Sequence, residues 1–260
     1  MLLLIVWRIT VPAHAALPPE LAAAVQQLRA QHSYSWEIIN GDPGPVEQTI
    51  HTARGTVQTV QRNPSPHAKG RLSATGEMLI ERDWSDGLKT RTLVAADGTM
   101  VTETPEGWLS RQEILEAIAE ERLRAGGPSA RMEWLPRAEA VDTMRPAEEL
   151  QPFVDGNKTF QVSGDTYVCT LDIQVGNPAN AADGGTQSVG NATITLHLIG
   201  GVLRDYEIVS EISRRAPRSR VSIMNNNDRI VVLSYQSVGR INVPDEARAK
   251  LKAAPPRSDR

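Results

Sequence analysis

A single cysteine, Cys169, stands in 260 residues. One thiol excludes any intrachain disulfide. On a strand over Tyr167–Val175 it shares a face with Tyr167, Leu171, Ile173 and Val175, so it reads as a small buried hydrophobe. Histidine is equally sparse. His14, His32, His51, His67 and His197 are the five present. None forms an HxxxH, HxH or HExxH spacing and no cysteine joins them, so no metal site is expected. There is no GxSxG elbow, no GxxxxGKS/T loop and no GxGxxG turn, so no nucleophile, phosphate cradle or dinucleotide cofactor is expected. The acidic pairs Glu120-Glu121 and Glu148-Glu149 read as solvated helix faces. No residue is assigned a catalytic role, and the chain is expected not to be an enzyme. Charge of neither sign dominates: 28 basic residues face 31 acidic ones for a net charge of −3. A nucleic-acid partner is therefore not expected. No apolar run reaches the roughly 18 residues that a membrane helix needs.

What is present begins with a leader. MLLLIVWRITVPAHA is apolar but short, and Ala13-His14-Ala15 matches the small-x-small pattern before a signal-peptide cut. Residues 1–15 are therefore expected to be a signal peptide, although a basic start is missing. They imply a periplasmic or otherwise exported protein. Residues 16–252 are expected to form one domain, and 253–260, Pro-rich and charged, a disordered tail.

The body reads mostly as strand. From Leu72 to Trp84 apolar and polar residues alternate, with Leu72, Ala74, Met78, Ile80 and Trp84 on one face. Asp97-Gly98 is a hairpin signal between Leu88–Ala95 and Thr99–Thr104. Further strands are expected at Ser33–Asn40, about Glu47–Arg62, Lys158–Val162, Thr166–Val175, Ala192–Ile199, Val202–Ile212 and Arg229–Val238. Asn225–Asp228 is expected to be a turn, and Gly176–Gly190 a long loop. Leu21, Ala24, Val25 and Leu28 recur at helical spacing in an early helix over Glu20–Gln31. Ser110 with Glu113 forms a capping box ahead of a stripe of Ile114, Leu115, Ile118 and Leu123. A broken helical segment over Pro136–Leu150, restarted by Pro146, and a terminal turn from Asp245 complete the set. Strands joined by tight turns, with no βαβ alternation, give an α+β class: a single large curved, mostly antiparallel sheet, an open half-barrel, with helices on its concave side.

Three stretches carry a family resemblance. They are the early helix leading into Tyr34-Ser35-Trp36-Glu37, the strand–Asp97-Gly98–strand–Gly107-Trp108 unit feeding the Ser110 helix, and the closing Val238-Gly239-Arg240-Ile241-Asn242-Val243-Pro244-Asp245-Glu246-Ala247. Together they resemble the LolA/LppX-like superfamily of bacterial cell-envelope proteins over most of residues 17–252. The resemblance implies an unclosed half-barrel with helices on its concave face. It also implies binding of lipids, lipoproteins or other apolar molecules without catalysis. The long Gly176–Gly190 loop and the leader depart from that pattern.

If the sheet curves, Trp36, Met78, Ile80, Trp84, Ile194, Leu196 and Leu198 line one apolar surface that either binds a lipid or small apolar ligand or packs as a core. In the second case the chain is a structural or sensory interaction module with an envelope protein partner. The cluster Arg214-Arg215-Ala216-Pro217-Arg218-Ser219-Arg220 reads as a solubilising loop or a contact for anionic head groups.

Overall fold

The computed structural model describes residues 17–40, 46–52, 55–61, 66–124, 129–139, 143–154, 158–175, 187–215 and 221–253. The first half runs α1 (Pro19–Ala30), β1 (Tyr34–Asn40), β2 (Val46–Thr52), β3 (Gly55–Gln61), β4 (His67–Leu72), β5 (Met78–Asp83), β6 (Lys89–Val94), β7 (Met100–Thr104) and β8 (Gly107–Ser110). Then come α2 (Arg111–Leu123), α3 (Arg131–Glu139), α4 (Pro146–Glu149) and α5 (Gln151–Val154). The second half runs β9 (Gln161–Ser163), β10 (Thr166–Val175), β11 (Gln187–Ile199), β12 (Val202–Arg215), β13 (Val221–Ser234) and α6 (Asp245–Ala253).

All strands join one antiparallel sheet in the order β8-β7-β6-β5-β4-β1-β13-β12-β11-β10-β9, and β2 with β3 branches from β13. Its ends, β8 and β9, do not pair with each other, so the sheet is open. The fold is α+β, as the alternation and turns imply. The sequence-distant pairing of β1 with β13 (Trp36 opposite Leu233, Ile38 opposite Val231) makes one sheet of the two meanders.

Several boundaries differ from the sequence reading. Leu72–Trp84 is a hairpin rather than one strand. Gly76 takes φ +83°, its amide donates to the Ser73 carbonyl at 3.0 Å, and the Ser73 amide donates to the Glu77 carbonyl at 2.9 Å. The alternation survives because Leu72 pairs with Met78 on the same face. Asn225–Asp228 is strand, not turn: Asn225 lies opposite Ile212 and Asp228 opposite Val209. The paired backbone of β12 outweighs the weak strand preference of asparagine. Strand β11 already begins at Gln187, and β13 stops at Ser234, short of Val238. In α2 the buried residues are Ile114, Ala117, Ile118 and Glu121, whereas Leu115 and Leu123 are exposed. Residues 1–16, most of the 176–190 loop, Ala216–Arg220 and 254–260 lie outside the described residues.

Facing residues share a side, so register divides the sheet into two faces. The inner face carries the largest core, where α1 lays Leu21, Ala24, Val25 and Leu28 and α5 lays Phe153 and Val154 on strand residues. Helices α2 and α3 pack Ile114, Ala117, Ile118, Trp134, Leu135 and Ala138 together with Leu88 and Leu109. They do not enter the largest core. Near β8 the outer face is apolar, and there Leu79, Leu93, Val101 and Trp108 meet Ile241 and Ala247. Helix α6 therefore sits on the opposite side from α1. Across β1 and β4–β7 the outer face also carries a charge row: Glu37 lies opposite Lys69, Lys69 opposite Glu81, Glu81 opposite Arg91, and Arg91 opposite Glu103.

Candidate binding site at the helix–sheet seam

Trp36, Met78, Ile80, Ile194, Leu196 and Leu198 all fall in the inner-face core. Cross-strand register explains why. Leu196 lies opposite Tyr167 and Tyr206, and Ile194 opposite Cys169 and Ile208. Tyr206 in turn faces Val231, which faces Ile38, two residues along β1 from Trp36. Ile194 and Leu196 are 0% exposed, so helix side chains fill the surface that sequence alternation assembles. Trp84 is the exception. It has the same parity as Met78 and Ile80 but follows the end of β5, and it lies half-buried outside that core. Its ring takes the Arg137 guanidinium at 5.1 Å, and Arg137 also pairs with Asp86 at 2.5 Å. That contact pulls Asp86 below the usual carboxylate range.

Three tyrosines rise from the inner face toward the helices. Tyr167 donates to Glu20 of α1 at 2.9 Å. Tyr206 donates to Glu149 of α4 at 2.6 Å, and Arg229 pairs with the same carboxylate. These bonds fasten helices to strands far away in sequence. They also correct the reading of the acidic pairs, because Glu149 is only 12% exposed at its side chain. Glu121 is buried as well, paired with Arg124 at 3.2 Å and Arg131 at 3.6 Å.

The third tyrosine differs. Tyr34, at the start of β1, is 2% exposed, and its hydroxyl proton has no acceptor. Burial pushes its pKa up; the Arg145 guanidinium and the nearby Ala147 backbone amide oppose this, and the Glu148 carboxylate adds to it. Tyr34, Arg145, Ala147 and Glu148 border a cavity of about 210 Å³ with Leu28, Leu72 and Gln151. It opens at the seam where α1 and α4 meet the sheet. The Arg145 side chain bonds Glu148 Oε1 through Nε at 2.9 Å and Nη2 at 2.5 Å. Across the mouth Arg29 donates to Gln151. The cavity thus has an apolar floor, a buried hydroxyl and an exposed ion pair over it. Sequence reasoning missed Arg145 and Glu148, since their place depends on a fold contact with β1. The one available signal was the polar tip of Tyr34 at the start of an otherwise apolar strand face.

Among the described residues, larger hollows lie elsewhere. One of about 400 Å³ on the outer face is bordered by Glu37, Lys69, Arg71, Glu81 and Ser234. There Lys69–Glu37 is 3.4 Å and Arg71–Glu81 3.0 Å, so the charges satisfy one another. Another of about 460 Å³ lies beside Glu77, Arg240, Asn242 and Arg248 at the α6 end. His197 Nδ1 stands 2.5 Å from Asp205 Oδ1 on the outer face. Thr166 lies opposite His197 in the ladder, but no hydrogen bond joins their side chains among the described residues. Among the described residues no group of three or more His, Cys, Asp or Glu is placed to hold a metal, and no helix is long and apolar enough to cross a membrane.

No protein-family model matches the chain, and no curated protein matches it.

Proposed function

We propose that the chain is an exported, non-catalytic cell-envelope protein that binds a lipid or another apolar molecule between its sheet and the helices over it. One observation carries this reading: the apolar inner face, roofed by α1, α4 and α5, opens to the surface at the Tyr34 cavity. The resemblance to LolA/LppX-like proteins supports the same reading. The open volume of about 210 Å³ is below the roughly 300 Å³ at which small-molecule pockets begin. A long chain therefore enters only if α1 or α4 lifts. Both helices are held by polar contacts as well as by packing: Tyr167 bonds Glu20 of α1, and Tyr206 and Arg229 share Glu149 of α4.

The filling of that face supports a second reading, a structural or sensory interaction module whose packed core takes no ligand. Mass spectrometry of organic extracts from purified protein, with titration of a fluorescent fatty-acyl probe, separates the two. Co-purified lipid, or a probe that binds and raises Tm as bound ligands do, supports the first. Protein free of lipid that also ignores the probe leaves the second.

A further inference from the structure

Resting on the binding reading above, we infer that the seam cavity selects a carboxylate head group: Tyr34 donates its hydroxyl proton to the ligand carboxylate while Arg145 exchanges Glu148 for it. A buried hydroxyl without a partner is costly, because it has given up water and gained nothing. The Ala147 backbone amide approaches the Tyr34 oxygen, but the hydroxyl proton meets no acceptor, and it lies beside a cavity rather than in dense packing. With its pKa raised, it remains a proton donor at every physiological pH. What it lacks is an acceptor.

The neighbouring charges say which acceptor. Arg29 and Arg145 outnumber Glu148 around the cavity, so the lining favours an anion. Arg145 and Glu148 are each nearly half exposed at their side chains, and an exposed ion pair of this kind holds together weakly. Swinging it outward uncovers the hydroxyl and frees a guanidinium, whose planar fork suits a carboxylate. Leu28, Leu72 and Ala147 supply the apolar wall for the chain behind the head group. A volume of about 210 Å³ holds about seven water-sized groups at roughly 30 Å³ each. That is a medium single-chain amphiphile, not a double-chain lipid, unless the helices part.

The test titrates the full chain with octanoate, methyl octanoate and octanol by calorimetry, alongside the fluorescent fatty-acyl probe. Octanoate is expected to bind about ten-fold more tightly than its methyl ester, the factor that one charge-assisted hydrogen bond supplies. Tyr34→Phe should shrink that margin, weakening octanoate more than the ester, whose carbonyl is the poorer acceptor. It removes a hydroxyl whose proton has no acceptor, so it should fold at least as stably as the parent. Glu148→Gln, which removes the competing carboxylate from an exposed site, should tighten octanoate several-fold. Equal binding of acid and ester, or indifference of the margin to Tyr34→Phe, overturns the inference. If the probe binds while octanoate does not, the head-group inference fails and the binding function stands. If neither binds, both fall.

Discussion

The Trp36 ring lies directly over Gly70, its partner across β1 and β4. A Cβ built on Gly70 would come within 2.0 Å of Trp36 Cε2. The glycine is there because an indole of the inner core occupies the space of a side chain. Gly70→Ala should cost about 1–3 kcal/mol, the range for overpacking a well-filled core, read as a lower denaturant midpoint at constant m. Trp36→Phe in the same chain should recover part of the loss, because the two sites share one volume. A neutral Gly70→Ala would mean that the indole is free to move.

The α1 stripe was legible because Leu21, Ala24, Val25 and Leu28 need only helical spacing to share a face, and all four are buried. The grouping of Met78 and Ile80 with Ile194 and Leu196 was legible because period two fixes parity within each strand, and turns kept it across strands. Trp84 obeys the same parity but leaves the sheet, and Arg137 of a later helix then decides where its ring goes. Leu123 has the right spacing in α2, yet it is 86% exposed because no described element covers the end of that helix. Glu121 and Glu149 looked solvated because their partners, Arg131, Tyr206 and Arg229, come from other elements. The seam at Tyr34 was hidden for the same reason: β1 and α4 lie more than a hundred residues apart.

Helix α1 should be the first inner-face element to detach. One polar tie to the sheet is the Tyr167–Glu20 bond at 2.9 Å, and its N-cap position, Pro18, makes no side-chain cap. Tyr167→Phe removes a bond to a carboxylate, worth about 1.5–3 kcal/mol before compensation. Amide exchange over residues 21–30 should speed up by at least ten-fold, while β12 and β13 keep their protection. Uniform loss across the sheet would show that α1 opens only with the whole molecule.

The start of α2 links two distant parts of the chain and should titrate. Ser110 Oγ accepts from the Glu113 amide at 3.3 Å, and the Glu113 carboxylate accepts from the Ser110 amide at 2.8 Å. Lys250 of α6 pairs with the same carboxylate. Burial raises the Glu113 pKa, but the Lys250 and Ser110 hydrogen bonds more than offset this, and the net shift is downward. A depressed carboxyl stabilises the fold above its unfolded value and loses that contribution as pH falls through the lower folded value. Glu113→Gln should therefore be less stable than the parent at neutral pH and nearly equal to it in acid. Ser110→Ala should cost about 1 kcal/mol, a typical N-cap loss. A Glu113→Gln deficit that persists unchanged into acid would remove the ionic part of this account.

Cys169 offers a direct clock for opening of the inner face. Its thiol is 2% exposed in the core under the helices, and burial pushes its pKa up, with Lys158 opposing weakly. Low exposure blocks access to the sulfur, and the raised pKa suppresses the thiolate that reacts with alkylating agents. In the folded protein at mildly alkaline pH, modification should proceed only through opened molecules, at a rate set by the opening equilibrium. If α1 is the cover, Tyr167→Phe should accelerate it by about ten-fold for each 1.4 kcal/mol of helix attachment lost. A fluorescent fatty-acyl probe seated under the same helix should slow the reaction in parent and variant alike. Should Tyr167→Phe loosen the α1 amides yet leave the cysteine rate unchanged, the thiol is guarded by β9 and the strand edge rather than by the helix. A ligand entering under α1 would then pass without exposing it.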